Sequence, residues 1–310
     1  MQNAKGPYNN KCQIVIFGAG IDISYENHLI AMHNRFPDLN KLHFNIYVLD
    51  SESVLRKRER LPTFPNQSIF HVPVDLRHWS TVYEQLSANG FVFKGTADSD
   101  VYTIAIEECV FCYIDEKFVH TIIQEMVRTF HEDTLFLGYM PLLSPRTGEL
   151  ESGCKSLSVA IRNGFASRGA PILSGEDNVE MVEERFHRSG WTRTLCMDVQ
   201  TALKAVMTPE EVIIPAALDP FDEFASLATI NRYYAVIVSA LNADLFQSTV
   251  RQFHLYNNNN CTSSVDSSHL LARIRSAENP SSHLSLESFD KYTFLNLNLN
   301  FMLSSYVYFI

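Results

Sequence analysis

The sequence predicts an α/β fold, a mainly parallel sheet with helices on both faces. Three observations carry that expectation. Short apolar, β-branched runs recur along the first half of the chain. Segments with helical spacing separate them. Each run closes on a glycine or an acid, the punctuation of a strand that emerges at the rim of a sheet.

In order, residues 12–17 (CQIVIF) read as a buried strand ended by Gly18. Residues 21–36 read as a helix stopped by Pro37-Asp38. Residues 43–49 (HFNIYVL) form a second strand that ends at Asp50. Ser51 then opens a surface helix over 51–60, which carries the basic stretch RKRER at 56–60. A third strand, 69–74, ends at Asp75, and a helix follows over 80–88. A fourth, 101–106 (VYTIAI), ends at Glu107-Glu108, with an amphipathic helix over 117–130. Thr134–Leu137 begins a fifth. Helices are expected at 154–166 and 178–189, a strand up to Asp198, and a helix over 201–207. Pro220 opens a long helix through Leu241.

From about Asn257 the composition changes. NNNNCTSSVDSSH is of low complexity and reads as unstructured. The last 19 residues, YTFLNLNLNFMLSSYVYFI, hold no charged side chain and have the length of a membrane span. Their asparagines and alternating pattern favour a β-prone tail instead. The expected organisation is one catalytic-type domain over 1–256 and a disordered tail over 257–310.

The chain has 310 residues, 46% of them hydrophobic, enough for one large domain. Its net charge of −10 disfavours non-specific binding to nucleic acid or an anionic membrane. The first residues, MQNAKGPYNNK, contain no apolar signal core. Six scattered cysteines in such a chain read as reduced thiols, and the expected location is cytoplasmic. Cys109 and Cys112 form a C-x-x-C inside an apolar run. With no second pair, they read as buried thiols and not as a metal site.

The stretch QIVIFGAGID (13–22) raises the question of a ligand. A dinucleotide fingerprint needs a third glycine where Ile23 stands, and its ribose-binding acid about 20 residues on, earlier than Asp50. The glycine-lysine-serine ending of a phosphate loop is absent. A G-x-G turn without phosphate chemistry suits a nucleoside with a cationic centre, as in S-adenosylmethionine. The glycines let the backbone approach its amino-acid part. An acid ending the second strand can hold ribose hydroxyls, and an acid after the third can meet the adenine amino group.

The motif order resembles the leucine carboxyl methyltransferase family. The matching stretches are CQIVIFGAGID (12–22), VDLRHW (74–79), EECVFCYID (107–115), SGW (189–191) with MD (197–198), and DPFDEF…RYY (219–234). The resemblance implies a Rossmann-like, S-adenosylmethionine-dependent methyltransferase. The expected substrate is the C-terminal leucine carboxylate of the protein phosphatase 2A catalytic subunit. A related branch of the family methylates a carboxyl group in tRNA wybutosine synthesis, and a non-catalytic relative that keeps the fold is the other alternative.

Carried over by position, Gly18 would line the methionine part and Asp50 would hold the ribose. Asp75 and the Leu76 backbone would face adenine, and Glu108 would lie near the sulfonium, with Glu107, one residue before it, as the alternative. No catalytic acid or base is expected, because a carboxylate is already ionised at neutral pH. Arg77 and Arg232 are candidate anchors for a substrate carboxylate, with a surface or structural salt bridge as the alternative for either. Trp191 and Tyr234 are expected in the core. The family also carries an upstream arginine for the donor carboxylate. The residues before Gly18 include no arginine, and their basic residues are Lys5 and Lys11. The expectation is therefore that the family's N-terminal segment is missing. The family's Tyr-Glu-Gln after the fifth strand is Tyr139-Met140-Pro141 here.

Overall fold

A computed structural model describes residues 11–20, 43–58, 67–96, 101–144, 151–206, 224–247 and 249–250. The expected helix over 21–36 and the tail from 257 lie outside the described residues.

Seven strands form one sheet, in the order β3-β2-β1-β4-β5-β7-β6. They are β1 (Lys11–Phe17), β2 (His43–Asp50), β3 (Gln67–Pro73), β4 (Val101–Glu108), β5 (Thr134–Pro141), β6 (Arg193–Asp198) and β7 (Tyr234–Ala240). The first five pair in parallel, and β7 runs antiparallel to both β5 and β6. The helices, in chain order, are α1 (Glu52–Arg58), α2 (Trp79–Ala88), α3 (Glu116–Thr129), α4 (Glu151–Ser167), α5 (Val179–Arg188), α6 (Val199–Val206) and α7 (Phe224–Asn231).

Strand alternation builds the two faces of the sheet. Ile14, Ile16, Ile46, Val48, Ile104 and Ile106 point to one side, where they meet Leu55 of α1 and Val199 and Ala202 of α6. Val15, Phe17, Tyr47, Leu49 and Ala105 point to the other, onto α2, α3 and α5. Helix α3 shows why it docks there: Val119, Ile122, Ile123 and Met126 repeat at helical spacing and are all buried. Helix α5 begins on Asn178, whose Oδ1 accepts the Met181 N–H at 3.0 Å. The fold is thus the Rossmann-like, mainly parallel sheet with helices on both faces that the sequence predicts.

Two expectations need correction. The segment expected as one helix from Pro220 through Leu241 divides. Helix α7 stops at Asn231, Arg232 and Tyr233 form a turn through bonds to Thr229 and Ile230, and β7 follows. Tyr234–Ala240 is apolar and buried almost throughout, and such a run suits a helix or a central strand equally; its two neighbouring strands decide. The fourth strand also runs two residues past Ile106. Glu107 and Glu108 are therefore strand residues on opposite faces, not a pair beyond its end.

The chain order reverses at β1. From there β2 and β3 lie to one side, and β4 and β5 to the other. In open α/β sheets a ligand crevice forms outside the carboxyl ends of the strands at such a switch point. At this point Gly18 follows β1 and Glu108 closes β4.

Candidate functional site

The site starts with two glycines in left-handed backbone. Gly18 (φ +64°) donates its N–H to Leu49 O at 2.7 Å, which binds the turn to the end of β2. A Cβ on Gly18 would sit 2.5 Å from Val110 Cγ2, so the space beside it belongs to the chain after β4. Gly20 (φ +59°) differs: a Cβ there would meet nothing within 4 Å. Gly18 is a packing glycine, and Gly20 is not.

Asp50 is joined directly to this turn. Its Oδ2 accepts the Gly20 N–H at 2.9 Å, and its Oδ1 accepts the Ser51 N–H at 2.7 Å. Each oxygen keeps a further lone pair, so the carboxylate is oriented without being saturated. The Asp50 carbonyl accepts the Val74 N–H at 3.0 Å and so brings in the loop that follows β3.

Asp75 in that loop is more fully engaged. Arg77 forks onto it, with Nε at 2.9 Å from Oδ1 and Nη2 at 2.6 Å from Oδ2, and the Arg77 N–H adds a third contact to Oδ1 at 3.0 Å. The Arg77 hydrogen bonds hold the Asp75 carboxyl down at about 2. Arg77 is therefore the ion-pair partner of Asp75, which is the salt-bridge alternative and not the substrate anchor. Leu76 is buried on the α2 and α3 face. Arg232 is exposed in the turn before β7. Lys11 is the first residue of β1, at the edge of the sheet opposite Gly18 and about 20 Å from it along the strand.

Glu108 ends β4, half-buried, in register with Tyr139 of β5. Glu107, which the sequence places one position off the site, is fully buried and in register with Phe17. Its Oε1 accepts the Val110 and Phe111 N–H groups at 2.6 and 2.9 Å, and its Oε2 has no hydrogen-bonding partner. Burial pushes this carboxyl up to about 7, against the backbone groups of Phe111, Val110 and Tyr139 that lower it.

Cys109 follows at φ +52°, a left-handed conformation in a residue that is not glycine, and its N–H reaches Tyr139 O at 2.8 Å. A hydrogen bond with Cys112, then burial, keep the Cys109 thiol protonated. It is no reactive thiolate. Tyr139 and Tyr234 stack with ring centroids 5.2 Å apart, half-burying Tyr234 beside this end of the sheet. Trp191 is a core residue, as expected: it is buried and donates to Ile123 O at 3.3 Å.

The structure thus brings Gly18, Gly20, Asp50 and the turn after β4 together. Asp75 is linked to them through the Val74 backbone, with its own side chain turned to Arg77. All of them fall within residues 4–127, and that segment matches the family model described as leucine carboxyl methyltransferase. The chain is similar to the leucine carboxyl methyltransferases. A protein of that name, leucine carboxyl methyltransferase 1 of Yarrowia lipolytica, is 29% identical over 150 residues, or 48% of this chain and 43% of that protein. The chain therefore spans less than half the length of this leucine carboxyl methyltransferase.

Among solved structures, human N-acetylserotonin methyltransferase in complex with SAM superposes with a TM-score of 0.40 at 10% identity, over 74% of this chain and 47% of that one. The cyclopropane synthase MmaA2 of Mycobacterium tuberculosis does so with a TM-score of 0.39 at 14% identity, over 73% and 76%. No helix among the described residues is long and apolar enough to cross a membrane.

Proposed function

We propose that this protein binds S-adenosylmethionine at the carboxyl edge of β1, β2 and β4 and methylates a carboxylate. We assign the C-terminal leucine of the protein phosphatase 2A catalytic subunit as its substrate. The observation that carries the reading is the Asp50 carboxylate, tied to the Gly20 N–H at 2.9 Å and to the Ser51 N–H at 2.7 Å, with a lone pair of each oxygen not used by these bonds. Two vicinal hydroxyls of a ribose fit such a carboxylate, one per oxygen. An added Cβ at Gly20 would meet nothing within 4 Å, so a ligand can approach that side of the backbone. The family match over residues 4–127 supports the same reading.

In this proposal Gly18 shapes the floor under the methionine portion, and Glu108 presents its carboxylate to the sulfonium. Asp75 takes the adenine amino group once the Arg77 fork yields one of its oxygens, while Leu76 backs it from the core. When bound, the donor supplies a methyl group on a positively charged sulfur, and a substrate carboxylate displaces the neutral thioether from it. The protein moves no proton in that exchange, because the carboxylate arrives ionised. Its task is alignment and the exclusion of water. The buried free thiols Cys12, Cys112 and Cys196 accord with a reducing, cytoplasmic setting.

Calorimetry with S-adenosylmethionine tests the donor, and labelled methyl transfer to the phosphatase subunit or to modified phenylalanine tRNA tests the acceptor. Saturable donor binding with base-labile label on the protein is expected. Label on tRNA alone overturns the substrate, and no donor binding at high micromolar concentration makes the chain a non-catalytic relative.

A further inference from the structure

Glu107 is a fully buried carboxylate that the proposed chemistry leaves without a task. The two hydrogen bonds at its Oε1 are both spent on one turn. Val110 and Phe111 begin the 3-10 turn Phe111–Tyr113, where backbone N–H groups lack partners from their own turn. The Oε1 atom supplies both. What that turn carries is the floor of the site. The Val110 side chain fills the space beside Gly18, and the Phe111 ring meets Phe17 edge-on with centroids 5.6 Å apart.

The link into the turn is Cys109 at φ +52°. A non-glycine residue persists there only where its surroundings over-determine it. Glu108 sits immediately before this strained link, so its position is set by the same hold.

We infer that Glu107 is a positioning residue of the donor site: through its bonds to Val110 and Phe111 it keeps Val110 over Gly18, holds Cys109 in its strained conformation and so fixes where Glu108 stands. The inference rests on the donor reading above. A buried apolar residue at 107 would fill the space equally well. It would leave two N–H groups unpaired and the turn free to relax. Glutamine at 107 keeps an acceptor oxygen, whereas alanine removes it and aspartate falls one methylene short.

Two readouts separate this inference from the donor reading. Hydrogen exchange of the peptide spanning 108–114 reports the hold with no ligand present. Titration with S-adenosylmethionine reports its consequence. Compared with the full-length wild type, E107A is expected to exchange at least tenfold faster at Val110 and Phe111 and to bind the donor at least tenfold more weakly. E107Q is expected to stay within threefold of wild type on both.

A packing control, V182A in the core of α5, is expected to lower the melting temperature with donor affinity unchanged. Exchange at 110–111 that is unaltered in E107A overturns the inference, as does a V182A loss of affinity equal to that of E107A. If E107A does not fold, E107D against E107Q decides, with loss in the first and retention in the second expected. Wild-type protein that binds no donor, while E107A still exchanges faster, overturns the donor reading and leaves the hold on the turn established.

Discussion

At the scale of single residues, the two glycines of the turn make a paired test. Both have positive φ, so alanine at either is strained by about 1 kcal/mol. Only at Gly18 does the added methyl collide, 2.5 Å from Val110 Cγ2, and overpacking adds about 1–3 kcal/mol more. Gly18→Ala is expected to cost about 2–4 kcal/mol in urea denaturation and Gly20→Ala about 1. Equal costs would show that Val110 gives way freely.

Glu107 supplies a pH signature. Its carboxyl is raised from the ordinary 4.5 to about 7, so the folded state holds the proton more tightly than the unfolded state. Stability linked to this group is complete below 4.5 and is lost as pH rises through 7, by about 3 kcal/mol at most. Denaturation between pH 5 and pH 8 is expected to show that loss in the wild type and to lack it in E107Q, where residue 107 does not titrate. Parallel profiles for the two proteins would refute the assignment. The sequence offered Glu107 only as the alternative to Glu108, and its burial was hidden because the strand was read as ending at Ile106. The parity shared by Phe17, Ala105 and position 107 was the available signal.

At the scale of elements, Arg185 of α5 binds three segments together. Its Nη2 donates to Glu116 Oε1 at 2.9 Å, at the start of α3, and to Ser174 Oγ at 3.3 Å, while Nη1 lies 3.6 Å from Glu176 Oε1. The arginine side chain is 4% exposed, whereas Glu116 is 60% exposed. Breaking the pair from the two sides therefore has unequal consequences. Arg185→Leu strands the nearly buried Glu176 and is expected to cost about 3–5 kcal/mol. Glu116→Gln keeps an acceptor at a solvated position and is expected to cost about 1 kcal/mol or less. Chemical denaturation of both variants checks the ratio, and comparable losses would mean that the pairing with Glu116 is the dominant contact.

The elements that the sequence revealed and concealed differ in kind. The parallel strands are β-branched runs cut short by glycine or acid, so their ends show at once. Strand β7 has the same apolar content, but it follows a helix with only Arg232 and Tyr233 between. Its identity comes from antiparallel pairing with β5 and β6, which is long-range information. The Asp50–Gly20 bond was foreseeable from strand order. For Arg77 the sequence left a salt bridge and a ligand anchor both open, because an arginine two residues from an acid suits either, and the fork on Asp75 decides for the salt bridge.

At the scale of the whole molecule, ligand and fold share one free-energy balance. A ligand that binds only the folded state stabilises it by mass action, about 2.7 kcal/mol at a hundredfold excess over its dissociation constant. For a chain of this size that corresponds to a rise in melting temperature of about 5 °C. S-adenosylhomocysteine at such an excess is expected to produce this shift, since it retains the ribose and adenine that Asp50 and Asp75 are proposed to hold.

Asp50→Asn is the decisive companion. Asparagine can still accept one backbone N–H through its oxygen, but its amide nitrogen cannot accept the other, and its capacity toward a ribose diol falls. The variant's own melting temperature will drop, because the Gly20 or Ser51 bond is lost. The informative quantity is therefore the ligand-induced shift within each protein, which cancels that intrinsic loss. A shift of about 5 °C in the wild type and less than about 1 °C in Asp50→Asn is expected by differential scanning fluorimetry. An undiminished shift in the variant would move the nucleoside away from β2, and with it the argument built on the glycine turn.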